Sequence, residues 1–207
     1  MKTLILTASF SLILSVVSAQ IKTTPIDKKA IPAGVKYSRH VIDAVRYFDK
    51  NGDHIVLTTE TGEVDIKGND GYRKADLYAY QYDVKDGRPV ISWTIHDLVS
   101  DCPVDITCNF VPKTFAVTDL NNDGKAEVWV MYQTTCRGDV SPLTMKIIMY
   151  QDHQKFAVRG TTKSRVSDKD YMGGEYKFDE AFKTGPEAFR KYAAALWNKN
   201  IMEVRPQ

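Results

Sequence analysis

The segment from Asp119 to Glu127, with the sequence DLNNDGKAE, has the strongest chemical signature in the chain. Its oxygen-bearing side chains fall at positions 1, 3, 5 and 9, and the glycine at position 6 permits a sharp turn. Calcium binds six to eight hard oxygen ligands, and a coiled loop with alternating carboxylates supplies them. The sequence therefore predicts a calcium site, with the ligands Asp119, Asn121, Asp123, the backbone carbonyl of Lys125, and Glu127.

The residues around this segment argue against an EF-hand. Position 12, where an EF-hand carries a bidentate glutamate, is Val130. The flanking residues 115–118 and 128–131 are β-like rather than helical. A polar hairpin loop that holds no ion is the alternative interpretation.

The segment resembles the calcium loops of FG-GAP and integrin-propeller repeats. Those loops read Asp-x-Asn/Asp-x-Asp-Gly-x-x-Asp between two strands, and the run from Asp119 to Gly124 follows this pattern. Glu127 replaces the usual final aspartate and lengthens one ligand arm. The resemblance implies a calcium-binding loop between two β-strands.

A second acidic segment, from Asp49 to His54, lies 70 residues earlier. Its oxygen-bearing positions align with the first three of the later segment, and Tyr80-Gln81 aligns with Tyr150-Gln151 at the same offset. Its position 9 is Leu57, which has no ligand atom, so we predict a tight turn here rather than a metal site. The shared offset favours an internal duplication over chance similarity.

Short β-like runs divided by turn residues must position these loops. The predicted strands span residues 41–48, 54–60, 75–83, 89–96, 114–118, 127–134, 143–150 and 155–160. They form two units, at about 35–97 and 113–160, and an apolar stripe at helical spacing predicts a C-terminal helix at about 186–199. The predicted fold is mostly β: two antiparallel four-stranded meanders, blade-like and packed as a sandwich or partial propeller, plus this helix.

Residues 1–19 have the features of a secretory signal peptide: a positive Lys2, an apolar run over 4–17 and small residues before the cleavage point. The run is shorter than the roughly 20 apolar residues of a spanning helix. We expect residues 20–34 to be a mobile lead-in to a single domain, 35–207. The mature chain is predicted to have no membrane span and to be exported to the periplasm or the cell surface.

Composition and motif searches exclude several function classes. The chain has 28 Lys and Arg against 26 Asp and Glu, so nothing favours a nucleic-acid partner. It has no nucleophile elbow, zinc-protease, phosphate-loop or dinucleotide motif, so we assign no catalytic residue.

Two groups of side chains each have two interpretations. The acidic residues near the cysteines either line a carboxylate cleft or lie in a solvated loop; they are Asp97, Asp101 and Asp105. A set of aromatic residues either forms a sugar-binding platform or makes cross-strand pairs that stabilise the sheet; these residues are Tyr72, Tyr78, Tyr80, Tyr82 and Trp93.

Export permits disulfides. Cys102, Cys108 and Cys136 allow three different single bridges, each leaving one thiol over. A local bridge between Cys102 and Cys108 and a bridge from Cys136 into their loop are equally reachable, so spacing leaves the pairing open.

A broader resemblance covers most of the mature chain. The runs Thr118 to Tyr132, Cys136 to Pro142, Lys146 to Tyr150, Lys155 to Gly160 and Phe189 to Asn198 are similar to a family of small exported bacterial envelope proteins. That family is labelled surface polysaccharide biosynthesis protein, which names a process rather than a reaction. The resemblance implies a bridge between Cys102 and Cys136, with Cys108 unpaired.

These observations together predict a non-enzymatic, calcium-stabilised envelope protein that supports surface polysaccharide biogenesis or binds glycan. Its partner would be an envelope polysaccharide or an envelope protein. Two alternatives stay open: a carboxylate-dependent enzyme acting on envelope glycan, and a protein-binding module such as an inhibitor or adhesin accessory.

Overall fold

A computed structural model describes residues 21–203 of the chain, so the predicted signal peptide lies outside the described residues. The first sheet has six antiparallel strands in the order β1-β2-β3-β5-β4, with β6 on β5. Its strands are β1 (Thr23–Pro25), β2 (His40–Asp49), β3 (Gly52–Glu60), β4 (Val64–Asp65), β5 (Arg73–Lys85) and β6 (Arg88–Cys102).

The second sheet also has six antiparallel strands, in the order β14-β11-β10-β9-β7, with β8 on β9. Its strands are β7 (Asp105–Phe110), β8 (Ala116–Thr118), β9 (Glu127–Arg137), β10 (Thr144–Gln151), β11 (Gln154–Thr161) and β14 (Tyr176–Phe178). A separate hairpin pairs β12 (Lys163–Arg165) with β13 (Tyr171–Gly173). The helices are a 3-10 turn (Lys28–Ala30), α1 (Glu180–Thr184) and α2 (Glu187–Asn200).

The period-two alternation of the strands buries both faces of each sheet. Val56 in β3 and Val130 in β9 contribute to one core shared by the two sheets. Leu57 points to the opposite face of the first sheet, where the segment before β2 packs through residues such as Ile31. Met131 likewise points to the outer face of the second sheet. The two sheets therefore form a sandwich around a common core.

The C-terminal helices cover the outer face of the second sheet. Phe189, Ala193 and Trp197 of α2 are fully buried there against Trp129 of β9 and against Phe182 of α1. The predicted fold is confirmed: mostly β, two antiparallel sheets that do not close, and a C-terminal helix. None of the helices in residues 21–203 is long and apolar enough to cross a membrane.

A disulfide joins Cys102, the last residue of β6, to Cys136 in β9, with the Cα atoms 5.7 Å apart. It links the two sheets across 34 residues of chain, which in chain-entropy terms stabilises the fold by about 2–4 kcal/mol. Cys108 is unbridged and buried, and burial raises its pKa to about 12. The bridge implied by the family resemblance is therefore the one that forms.

Two segments are more ordered than the sequence suggested. The cysteine-containing stretch was expected to be a loop, but only residues 103–104 turn, and Cys108 lies in β7, paired with Thr134. In the expected lead-in, β1 pairs with β2, and Ile26 donates a backbone hydrogen bond to Ala44. Both segments add an edge strand, whose pairing depends on a neighbour distant in sequence.

Candidate cation-binding loop and its supporting loop

The Asp119–Glu127 segment forms the connection between two paired strands. Thr118 at the end of β8 lies opposite Glu127 at the start of β9. Gly124 has a φ of +81°, a backbone conformation that glycine adopts without steric cost, and Asn122 has a φ of +56°. The loop therefore closes a β-hairpin, as the sequence predicted, and coils tightly at its tip.

The aspartates of the loop fold it around their own carboxylates. Asp119, which is buried, accepts backbone hydrogen bonds from Asp123 and Gly124, each at 3.1 Å. Asp123 Oδ1 accepts one from the Lys125 amide at 2.8 Å. Three backbone amides of the loop thus donate to the carboxylates of Asp119 and Asp123, which holds the turn in a tight coil.

Glu127 is the one carboxylate among the four described side chains that have a buried polar atom without a hydrogen-bond partner. It is fully buried, and its Oε2 accepts hydrogen bonds from the Thr118 hydroxyl at 2.7 Å and the Leu120 amide at 2.9 Å. Its Oε1 is buried and has no hydrogen-bond partner among the described residues. Burial, with the nearby charges of Asp119 and Asp123, raises the pKa of Glu127 to about 7. An unsatisfied buried carboxylate oxygen costs free energy and points to a missing partner.

The remaining predicted ligands are held by hydrogen bonds within the protein. The Asn121 amide donates to Asp123 Oδ2 at 3.0 Å, and Gln151 donates to both oxygens of Asp123. The Lys125 ammonium bonds to Asp152 at 2.6 Å, so only its carbonyl is available to the loop. Within residues 21–203 no three His, Cys, Asp or Glu side chains are arranged to hold a metal ion. The oxygen donors suit a hard cation in type, and holding one would require Asp123 to exchange its present partners.

The turn at Asp49, in the first sheet, makes hydrogen bonds to the backbone of the Asp119–Glu127 loop. Asp49 Oδ2 accepts the Ala126 amide at 2.8 Å, and the Lys50 amide donates to the Gly124 carbonyl at 2.8 Å. Asp49 Oδ1 accepts from the Asn51 amide and from a histidine ring. The predicted tight turn is present, since β2 and β3 are joined by residues 50–51 alone. Asp49 is therefore a structural neighbour of the candidate site rather than a ligand of a second one.

Sequence reasoning missed three contributors to the site. Thr118 and Gln151 bond directly to its carboxylates, and Asp49 holds its backbone. The alignment of Tyr80-Gln81 with Tyr150-Gln151 drew attention to Gln151, but not to its contact with Asp123. Thr118 lies opposite Glu127 within one hairpin, whereas the contacts of Gln151 and Asp49 form only where separate hairpins pack together.

The aromatic residues expected as a sugar platform are mostly structural. Tyr80, Tyr82 and Trp93 are buried. The Tyr82 hydroxyl donates to the backbone carbonyl of Lys36, and Trp93 stacks on Tyr150 with ring centroids 4.5 Å apart. These three rings join strands and sheets. Tyr72 is exposed, and Tyr78 is half-buried and stacks on Tyr80 and His96.

The three acidic residues near the cysteines have different environments. Asp97 lies in β6 and pairs with the Lys146 ammonium of the second sheet. Asp101 and Asp105 are exposed. Asp101 and Asp105 are therefore solvated, as that alternative expected, but they lie at the ends of β6 and β7 rather than in a loop. Asp97 is a link between the sheets.

No protein-family model, characterised protein or solved structure matches this chain.

Proposed function

We propose that the protein is an exported, calcium-stabilised envelope protein that acts by binding glycan, in support of surface polysaccharide assembly, rather than by catalysis. The observation that carries the calcium part is the buried, unpartnered Oε1 of Glu127 beside two further carboxylates. A disulfide between the sheets is consistent with export, since such bonds persist in oxidising compartments.

The ion would be held by Asp119, Asn121, Asp123, the Lys125 carbonyl and Glu127. It would supply positive charge to a group of carboxylates that otherwise repel one another. Thr118 and the Leu120 amide keep the Glu127 carboxylate in place through its Oε2. Gly124 provides the turn, and Asp49 anchors Ala126 at the far end. Hydrogen bonds within the protein therefore already hold most of the loop, and an ion would have to displace the present partners of Asp123.

The test compares the thermal unfolding of the chain from Gln20 onward, which contains every described residue, in calcium and in chelator. A ligand at a thousand times its dissociation constant adds about 4 kcal/mol to the free energy of unfolding. For a domain of this size that corresponds to a rise of about 10 °C in Tm. Asp119→Ala/Asp123→Ala should remove the calcium-dependent rise.

Asp179→Ala is the matched control. Asp179 caps α1 by accepting the Phe182 amide at 3.0 Å and also accepts the Ala157 amide, so its loss destabilises the protein away from the loop. This variant should melt lower but keep the full response to calcium. An unchanged Tm between calcium and chelator in the wild type would reduce the segment to a polar hairpin.

The glycan part is tested by retention on immobilised envelope polysaccharide from a Gram-negative bacterium. We expect retention of the intact polymer without release of shorter products. Product release that a single Asp or Glu variant outside residues 119–127 abolishes would establish the enzyme alternative instead. Stoichiometric co-purification of one protein, without polysaccharide retention, would establish the protein-binding module.

A further inference from the structure

A polar cavity of about 400 Å³ lies where three hairpin ends meet. The contributing turns join β2 to β3, β5 to β6 and β10 to β11. Its lining includes Asp49, His54, Asp83 and Asp152, so it adjoins the candidate cation loop through Asp49. A volume of this size is within the usual range for small-molecule sites.

His54 forms a fixed polar floor for the cavity. It is only 4% exposed, and its Nδ1 and Nε2 lie 2.9 Å from Asp83 Oδ1 and 3.0 Å from Asp49 Oδ1. Both ring nitrogens therefore already have a carboxylate neighbour within the protein. Tyr47 stacks on the ring with centroids 4.9 Å apart and donates its hydroxyl proton to Gln81 Oε1 at 3.0 Å. These contacts hold the His54 side chain in place in the absence of a ligand.

The carboxylates around the cavity each have a basic side chain as a neighbour. Asp53 pairs with Arg46 and Asp152 with Lys125, while Asp49 and Asp83 share His54. Lys85 also lines the cavity. The lining therefore carries many hydrogen-bonding groups. Its four aspartates, with Lys85 as the only lysine or arginine in the lining, disfavour an anionic ligand, and their existing partners leave little negative charge for a cationic one.

Both donors and acceptors remain available to a ligand at the opening. Asp83 Oδ2 accepts no hydrogen bond from the described residues, and the side chain is 24% exposed. Lys85, Ser92 and His153 also line the cavity and carry hydrogen-bond donors. A sugar hydroxyl donates and accepts at once, so neighbouring hydroxyls on one ring match such a mixed lining.

We propose that this cavity binds a neutral, hydroxyl-rich sugar unit, with Asp83 accepting from its hydroxyls and Lys85 donating to them. The proposal deepens the proposed function, since it gives the glycan-binding activity a site. The sugar would sit against the wall that Asp49 and Ala126 share, so the cation-binding loop supports the cavity from behind.

The test is an NMR titration of the uniformly ¹⁵N-labelled chain from Gln20 onward, in calcium buffer. The probes are the methyl glycosides of glucose, galactose, mannose, rhamnose and N-acetylglucosamine, with glucuronate and glucosamine as charged comparisons. We expect at least one neutral glycoside to give saturable shifts at the amides of residues 51–54 and 152–153. Shifts confined to other surfaces, no saturable shift with any probe, or a preference for a charged sugar would overturn the proposal.

Asp83→Asn is the diagnostic variant, because an asparagine still offers an oxygen acceptor to His54 while its other group becomes a donor. Loss of a hydrogen bond to a charged group should weaken binding about tenfold. Lys85→Met, at the exposed rim, should also weaken it and cannot disturb the buried floor.

Asp76→Asn is the matched control. Asp76 lies on the same strand as Asp83 and its carboxylate lies 2.7 Å from the His96 ring, but it does not line the cavity. Its binding should equal that of the wild type. If all three variants bind alike, the cavity is not the site. The calcium melting and the polysaccharide retention of the wild type are unaffected by that outcome, so a failed cavity assignment is distinct from a failed proposed function.

Discussion

The two acidic loops begin with the same spacing of Asp, Asn and Asp, yet they reach different chemical states. At Asp49 the carboxylate is fully used by the protein, with His54, the Asn51 amide and the Ala126 amide as partners. In the later loop the Glu127 carboxylate keeps one buried oxygen without a partner. The shared motif therefore does not decide whether a loop offers an ion site.

The residue at position 9 and the length of the hairpin explain the difference. The Asp49 loop is closed by two residues, and its position 9, Leu57, is buried in the apolar core on the outer face of the first sheet. The longer loop leaves room for Glu127 to lie beneath the turn. A hairpin that satisfies its own carboxylates becomes a support, whereas one with an extra buried carboxylate becomes a candidate binding site.

Asp49→Ala should have the largest effect on stability. It leaves the Ala126 amide without its partner and removes one of the two carboxylates from buried His54, which together should cost about 3–5 kcal/mol. Urea unfolding should show the loss both in calcium and in chelator. A loss seen only in calcium would mean that Asp49 acts as a ligand, and the contrast between the loops would disappear.

The pH dependence in chelator should be the next largest effect. The pKa of Glu127 is raised in the folded protein to about 7 from an ordinary value of 4.5, so between these values the folded state holds a proton that the unfolded chain has released. The free energy of unfolding should therefore fall as pH rises from 4.5 to 7, by up to about 3 kcal/mol.

Chemical unfolding at several pH values measures this change. Glu127→Gln should remove most of the slope, because the amide does not titrate. Asp53→Asn in the other loop, where the partner is the exposed Arg46, should leave the slope as it is. A slope that survives Glu127→Gln would assign the titration to another group.

Glycine replacement should give a smaller, more selective effect. Gly124 has a φ of +81° and Gly52 a φ of +124°, so alanine at either position is strained, by about 1–2 kcal/mol or more. A Cβ at Gly124 would lie 3.5 Å from Lys50 Cβ, an ordinary contact, so strain alone is expected there.

Melting each variant with and without calcium separates the two loops. Gly124→Ala should reduce the calcium-dependent rise in Tm, whereas Gly52→Ala should lower both melting temperatures equally. Equal behaviour of the two variants would contradict a specific role for the later loop.

Lys125→Ala should have the smallest effect. Its ammonium pairs with Asp152 at a solvent-accessible position, where ion pairs contribute little. Only the backbone carbonyl belongs to the proposed ligand set, so the Tm and its response to calcium should both stay within replicate scatter. A lost calcium response would show that the side chain, rather than the carbonyl, organises the loop.

Much of the fold could be predicted because its signals are local. Alternation in residues 75–83 places Leu77 and Ala79 on one face and Tyr80 and Tyr82 on the other, and the structure has them so. The stripe around Phe189 identified α2 in the same way. The edge strands β1 and β7 were not predicted, because each depends on pairing with a strand that is distant in sequence.

The sequence by itself determined the hairpin loop, its oxygen donors and the turn at Gly124, since these depend on residues within nine positions of one another. Tertiary structure decided which donors are satisfied. Asp49 reaches Ala126 across 77 residues, and Glu127 is fully buried in the folded chain. Desolvation and long-range hydrogen bonds act on atoms brought together only by the fold, so no reading of spacing alone distinguishes the supporting loop from the candidate site.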